Sequence, residues 1–228
     1  MRVLFTATPG WGHIHPMVPL ARALLDRGHD VLWATGADVV ERLTREGFRA
    51  AAAGLGEREG MGELFRRFPE IHTLAPSERS DYMFPRLFGT VRAGAMQRDL
   101  EAVVAGFAPD LFVCDAAELA GHLHAAARGV PSVTHSFGAL LPEHRMAGAA
   151  EALKPFWTER GLAPRPYGGA YDHLYVDIYP PSLQPGQRPH VRATQLLGPG
   201  AFAIAGDEPL PAWVAGSAGA PTPRVYVT

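Results

Sequence analysis

Residues 2–7, Arg-Val-Leu-Phe-Thr-Ala, form a short apolar run that passes through Thr8-Pro9-Gly10-Trp11-Gly12 into the segment opened by His13-Ile14-His15-Pro16. A strand feeding a glycine-containing turn and then an amphipathic helix is the first unit of a βαβ domain. The alternation continues for about 140 residues. A helix is predicted at 16–27, with Met17, Leu20, Ala21, Leu24 and Leu25 on one face and Gly28 as its stop. A strand at 30–35, a helix at 38–46 ended by Gly47, and a strand at 48–52 follow. A longer, irregular helical region is expected from 62 to 107, interrupted at Pro69, Pro76 and Pro85. Then come a strand at 111–114, a helix at 118–128 and a strand at 131–134. Strands separated by helices imply parallel pairing with right-handed crossovers, hence an α/β fold with a doubly wound, mostly parallel, Rossmann-like sheet.

The second half is less periodic, with a helix expected at 148–160 and strands at 174–178 and about 191–196. Residues 203–224 are rich in Ala, Gly and Pro and read as a linker. The last residues, Arg224-Val225-Tyr226-Val227-Thr228, are strand-like. The expected organisation is therefore one domain over 1–202, a linker over 203–224, and the first strand of a second domain at 225–228.

Composition excludes several classes. The 228 residues carry a net charge of −2 without a basic run, which argues against nucleic acid and anionic membrane as partners. Cys114 is the one cysteine, so neither an internal disulfide nor a thiolate metal cluster is expected. No basic segment followed by a long apolar stretch opens the chain, and no apolar run approaches the ~20 residues of a membrane span. The expected setting is a reducing cytoplasm. A homodimer is left open.

The candidate chemistry lies at strand ends, where open α/β sheets place their ligands. His13 is a candidate general base, because an imidazole titrates near neutrality; alone, it could equally cap a helix. Asp115 lies one residue beyond the apolar run 111–114, at another strand end. With strand order 3-2-1-4-5 the first and fourth strands are neighbours, and the two residues face each other across one crevice. A carboxylate there would fix the imidazole tautomer and raise its basicity; otherwise Asp115 caps the next helix. The Gly10-x-Gly12 pair lacks the third glycine of a dinucleotide fingerprint, which argues against NAD. His122 and His124, two apart on a helix, point apart and cannot share a metal. Trp11 and Phe137, each in a turn after a strand, together with aromatics of the 65–88 segment such as Phe84 and Phe88, are candidates to line an apolar pocket. The alternative for these rings is ordinary core or surface packing.

Several stretches resemble a known family. These are TPGWGHIHP, PLARALLDRGHDVLWATG and REGFRAAAAG within residues 1–54, PDLFVCDAAELAGHLHAAARGVPSV at 109–133, and the closing VYVT. They resemble the amino-terminal, acceptor-binding domain of GT-B-fold natural-product glycosyltransferases of actinobacterial type. The resemblance implies that His13, in the GHxxP turn, is the general base and that Asp115 orients it. It further implies an inverting, metal-independent transfer without a cofactor, from a dTDP- or UDP-sugar to a hydroxyl of a hydrophobic acceptor. Donor contacts from this chain would be weak and confined to Gly12, the rest lying in a second domain, so that the chain alone binds acceptor without turnover. The alternative is a non-catalytic binding or scaffold domain of the same fold.

Overall fold

The computed structural model describes residues 1–184, Gly186 and 188–198. The expected linker at 203–224 and strand at 225–228 lie outside the described residues. Among the described residues seven parallel strands form one sheet: β1 (Arg2–Thr6), β2 (Asp30–Thr35), β3 (Arg49–Ala52), β4 (Leu111–Asp115), β5 (Ser132–His135), β6 (Leu174–Asp177) and β7 (Thr194–Leu196). Their spatial order is β3-β2-β1-β4-β5-β6-β7, so the chain reverses direction across the sheet between β1 and β4. Val3 pairs in register with Leu111 and Thr6 with Cys114, which brings the carboxyl ends of β1 and β4 side by side.

Helices cover both faces. On one face α1 (Trp11–Ile14), α2 (Val18–Asp26) and α3 (Ala37–Arg45) bury Ile14, Met17, Val18, Ala21, Val39 and Leu43 against Val3, Phe5, Trp33 and Val113. On the other, α6 (Ala93–Phe107), α7 (Ala120–Arg128) and α8 (Glu143–Glu159) bury Leu100, Leu123, Leu153 and Trp157 against Leu4, Phe112, Cys114 and Tyr175. Each fully buried large side chain contributes about 1.5–3 kcal/mol, and β1 and β4, buried on both faces, send alternate side chains into the two cores. Between β3 and β4 the chain makes a helical excursion of α4 (Glu57–Arg67), α5 (Pro76–Phe84), a π-helical stretch over Pro85–Arg92, and α6. Leu64, Ile71, Leu87 and Val91 give it a small core of its own.

Three expected boundaries move. Helical structure begins at Trp11, not at residue 16: the His13 and Ile14 amides both bond Gly10 O, so the apparent turn is already the first helical turn. The irregular region begins at Glu57, ahead of residue 62. The helix expected at 148 starts at Glu143, immediately after Pro142, in a polar first turn that carries little apolar periodicity.

Candidate active site

β1 ends at Thr6, and α1 starts five residues later, so His13 is carried back over the strand ends at the crossover point of the sheet. Its Nδ1 lies 3.1 Å from Asp115 Oδ1 and 3.0 Å from Oδ2. Asp115, the last residue of β4, is fully buried, and Thr8 Oγ1 donates to its Oδ2 at 3.1 Å. A carboxylate accepts, so Nδ1 carries the proton and Nε2 presents its lone pair. Burial opposes protonation of His13. The charge and hydrogen bond of Asp115 outweigh it, and the imidazole is raised above its ordinary value, with Arg92 pulling down and Glu57 up. Asp115 does not cap α7. Glu118 does so, its oxygens accepting the amides of Ala120 and Gly121. Gly121 is required there, since a Cβ would lie 2.5 Å from Thr6 Oγ1 and 2.7 Å from Cys114 Sγ.

Aromatic rings flank the imidazole. The Phe137 centroid lies 4.3 Å from that of His13 and Phe88 lies 6.0 Å away. Phe84 stands behind Phe88 at 4.8 Å and is buried. The Phe137 loop is anchored at Ser136, whose amide donates to Val176 O and whose Oγ accepts from the Ile178 amide. Trp11 does not join them. Its ring stacks on Arg42 at 4.0 Å and on His15 at 5.0 Å, and it lines a depression with Gly10, Asp38, Glu57 and Arg58. The reason is the early helix start: residues two apart on a helix face opposite sides. Gly12 is exposed, and nothing would lie within 4 Å of a Cβ on it, so a ligand can approach its backbone.

The sequence reading missed three polar neighbours. Thr8 was read only as part of a turn. Arg92 is buried and pairs through Nη2 with Glu57 Oε2 at 3.1 Å. Arg92 continues the Phe84–Phe88 spacing at every fourth residue, a charge on an apolar stripe that could have singled it out. Glu118 lines the same slot as Phe88 and Arg92, and burial raises its carboxyl. Cys114 is buried, and that burial drives its thiol well up, as suits a packed hydrophobe. His122 bonds Ser132 and Thr134, while His124 bonds Gln97 O, so the two serve different partners. Among the described residues no group of His, Cys, Asp and Glu is placed to hold a metal ion, and no helix is long and apolar enough to cross a membrane.

No family model matches the sequence. The chain is 37% identical over 186 residues to L-demethylnoviosyl transferase of Streptomyces niveus, a match covering 81% of this chain and 46% of that protein. It is 32% identical over 246 residues to the elloramycin glycosyltransferase ElmGT of Streptomyces olivaceus, covering 100% and 57%. Among solved structures, the Streptomyces sp. SF2575 glycosyltransferase SsfS6 superposes with TM-score 0.71 at 25% identity, covering 94% of this chain and 58% of that one. SsfS6 is also known complexed with thymidine diphosphate. The chain thus spans about half the length of the curated relatives it matches. It is a homologue of Streptomyces natural-product glycosyltransferases and has the Rossmann-like architecture of their GT-B structures.

Proposed function

We propose that this chain is the acceptor-binding half of a GT-B glycosyltransferase that moves a sugar from a nucleotide donor to a hydroxyl of a hydrophobic natural product. One observation carries the reading: a buried carboxylate holds the His13 imidazole with Nε2 turned outward, between two phenylalanine rings, at the crossover point of a parallel sheet. A hydroxyl docked against Phe88 and Phe137 loses its proton to Nε2. The oxygen forms its bond to the anomeric carbon as the bond from that carbon to the diphosphate breaks, and attack from the opposite face inverts the centre. Asp115 stabilises the imidazolium so formed. This proton transfer is complete without a metal or a further cofactor.

The donor, a dTDP- or UDP-sugar, is assigned chiefly to the part of its relatives' length that this chain does not span, with Gly12 at the edge of that site. The thymidine diphosphate complex of SsfS6 favours the dTDP form. A cytoplasmic location belongs to the same proposal. The non-catalytic alternative gives no reason for a buried carboxylate to be aligned on an outward-facing imidazole. Calorimetric titration of the 228-residue chain with dTDP-glucose and UDP-glucose tests the partition. Affinities no better than the millimolar range, about 4 kcal/mol, are expected; saturable micromolar binding would place the donor site in this half.

A further inference from the structure

Arg92 is a charged side chain that proton transfer leaves unexplained. It closes the π-helical stretch with its side chain 8% exposed, and its Nε and Nη1 are buried without a hydrogen-bond partner. Nη2 alone is engaged, by Glu57. A guanidinium carries five donors in a fixed fork, and leaving buried donors of a charged group unpaired is costly. Pairing with a half-exposed Glu57 accounts for one nitrogen and not for the other two. The fork is also supported from behind: a Cβ on Gly60 would lie 3.2 Å from Arg92 Cζ, so α4 packs directly on the group.

The side chain that carries these donors borders the crevice. Arg92 lines a narrow slot with Thr8, Leu55, Phe88, Met96 and Glu118. The slot adjoins the imidazole through Phe88, which lines it and whose ring lies 6.0 Å from that of His13. A molecule presenting a hydroxyl to Nε2 across Phe88 therefore has Arg92 as a neighbour. An apolar edge there would leave the donors unpaired, and a cationic one would meet like charge. An oxygen with lone pairs satisfies them.

We propose that Arg92 selects the acceptor: its free N–H groups receive a carbonyl or phenolate oxygen that the acceptor carries a few bonds from the hydroxyl offered to His13. This rests on the acceptor-binding reading above and narrows it to oxygen-flanked hydroxyls. Sites built to hydrogen-bond a substrate group discriminate against analogues lacking it, because the protein donors are then stranded.

Two probes with the same three fused rings separate the cases. 1-Hydroxyanthraquinone has a carbonyl beside its hydroxyl, and 1-anthrol has none. Both are titrated into the wild-type chain, Arg92→Met and Arg92→Lys. The wild type should prefer the quinone by on the order of tenfold or more. Arg92→Met should lose that preference, and Arg92→Lys should keep part of it. Anthrol should bind Arg92→Met no more weakly than the wild type, since no donor is left to strand, and circular dichroism reports separately that the variants fold. Equal wild-type affinity for the two probes, or a preference that survives in Arg92→Met, overturns the role of Arg92 and leaves the acceptor reading standing. Binding of neither probe to any of the proteins overturns both.

Discussion

The crevice has two walls of different construction. The strand-end wall, built from the β1–α1 connection and the end of β4, is a polar network: Thr8 and His13 both bond Asp115, which is held in register opposite His135 of β5. The helical wall, residues 57–107, contains a π-helical stretch, aromatic side chains and the half-paired Arg92. In one wall the buried carboxylate is fully engaged by protein partners, and in the other the buried guanidinium is not. The contrast suggests a division of labour, in which the sheet holds the proton-transfer pair and the helical excursion recognises what is brought to it. Loops and excursions are where a fold varies its ligand while its frame stays intact.

The sharpest way to break this division is at the strand-end wall. In the full-length protein, His13→Ala should lower turnover by about a hundred- to ten-thousand-fold, as the loss of a general base does, with a much smaller change in KM. Near-normal turnover in steady-state kinetics would require another base. Asp115→Asn should cost less, because an amide still hydrogen-bonds the ring but does not stabilise imidazolium. A loss as large as that of His13→Ala would mean that Asp115 also holds the wall together, which thermal unfolding of the variant would reveal.

The helical wall should respond in stability instead. Gly89, inside the π-helical stretch, packs on α8 so closely that a Cβ would lie 2.7 Å from Ala149 O and 2.8 Å from Ala149 Cα. Backbone cannot step aside as a flexible side chain can. Gly89→Ala should destabilise the chain by about 1–3 kcal/mol in denaturant unfolding. An unchanged midpoint would show that the stretch is looser than its packing implies. The smallest effect has the opposite sign. Ala108 ends α6 at φ 48°, ψ 63°, a left-handed conformation that costs a residue with a Cβ about 1–2 kcal/mol. Ala108→Gly removes that strain at the expense of a freer unfolded chain, for a net gain of about 1 kcal/mol or less. A loss of stability would mean that the alanine methyl makes a packing contact worth more than the strain.

The two walls also differ in how far they could be read from sequence. The strands and their order were legible because apolar runs bounded by Gly and Pro have few parallel arrangements. Gly28 and Gly47 do stop helices, both at positive φ. That frame was enough to bring together His13 and Asp115, 102 residues apart. The helical wall was not legible in the same way. A π-helical stretch shifts side chains off the 3.6-residue period, so the helical period does not pick out the inward-facing residues of 85–92, and only the four-residue recurrence of Phe84, Phe88 and Arg92 marks them. Trp11 shows how a boundary redirects a side chain. Placing the helix start at 16 left Trp11 in a turn, free to face the crevice, whereas the actual start at Trp11 turns it toward Arg42.

The central claim is that Asp115 makes His13 a base, and the imidazole itself can report it. In the folded chain His13 is raised above its ordinary value by Asp115 against the opposing effect of burial, so the neutral base is lost as pH falls through a point above about 6.5. NMR titration of 15N-labelled histidine in the 228-residue chain should show His13 titrating above that value, with the proton on Nδ1 and Nε2 bare in the neutral form. In Asp115→Asn, where burial remains and the charge does not, the titration should move to lower pH. A His13 that titrates at or below 6.5, holds its proton on Nε2, or ignores the loss of Asp115 would contradict the account.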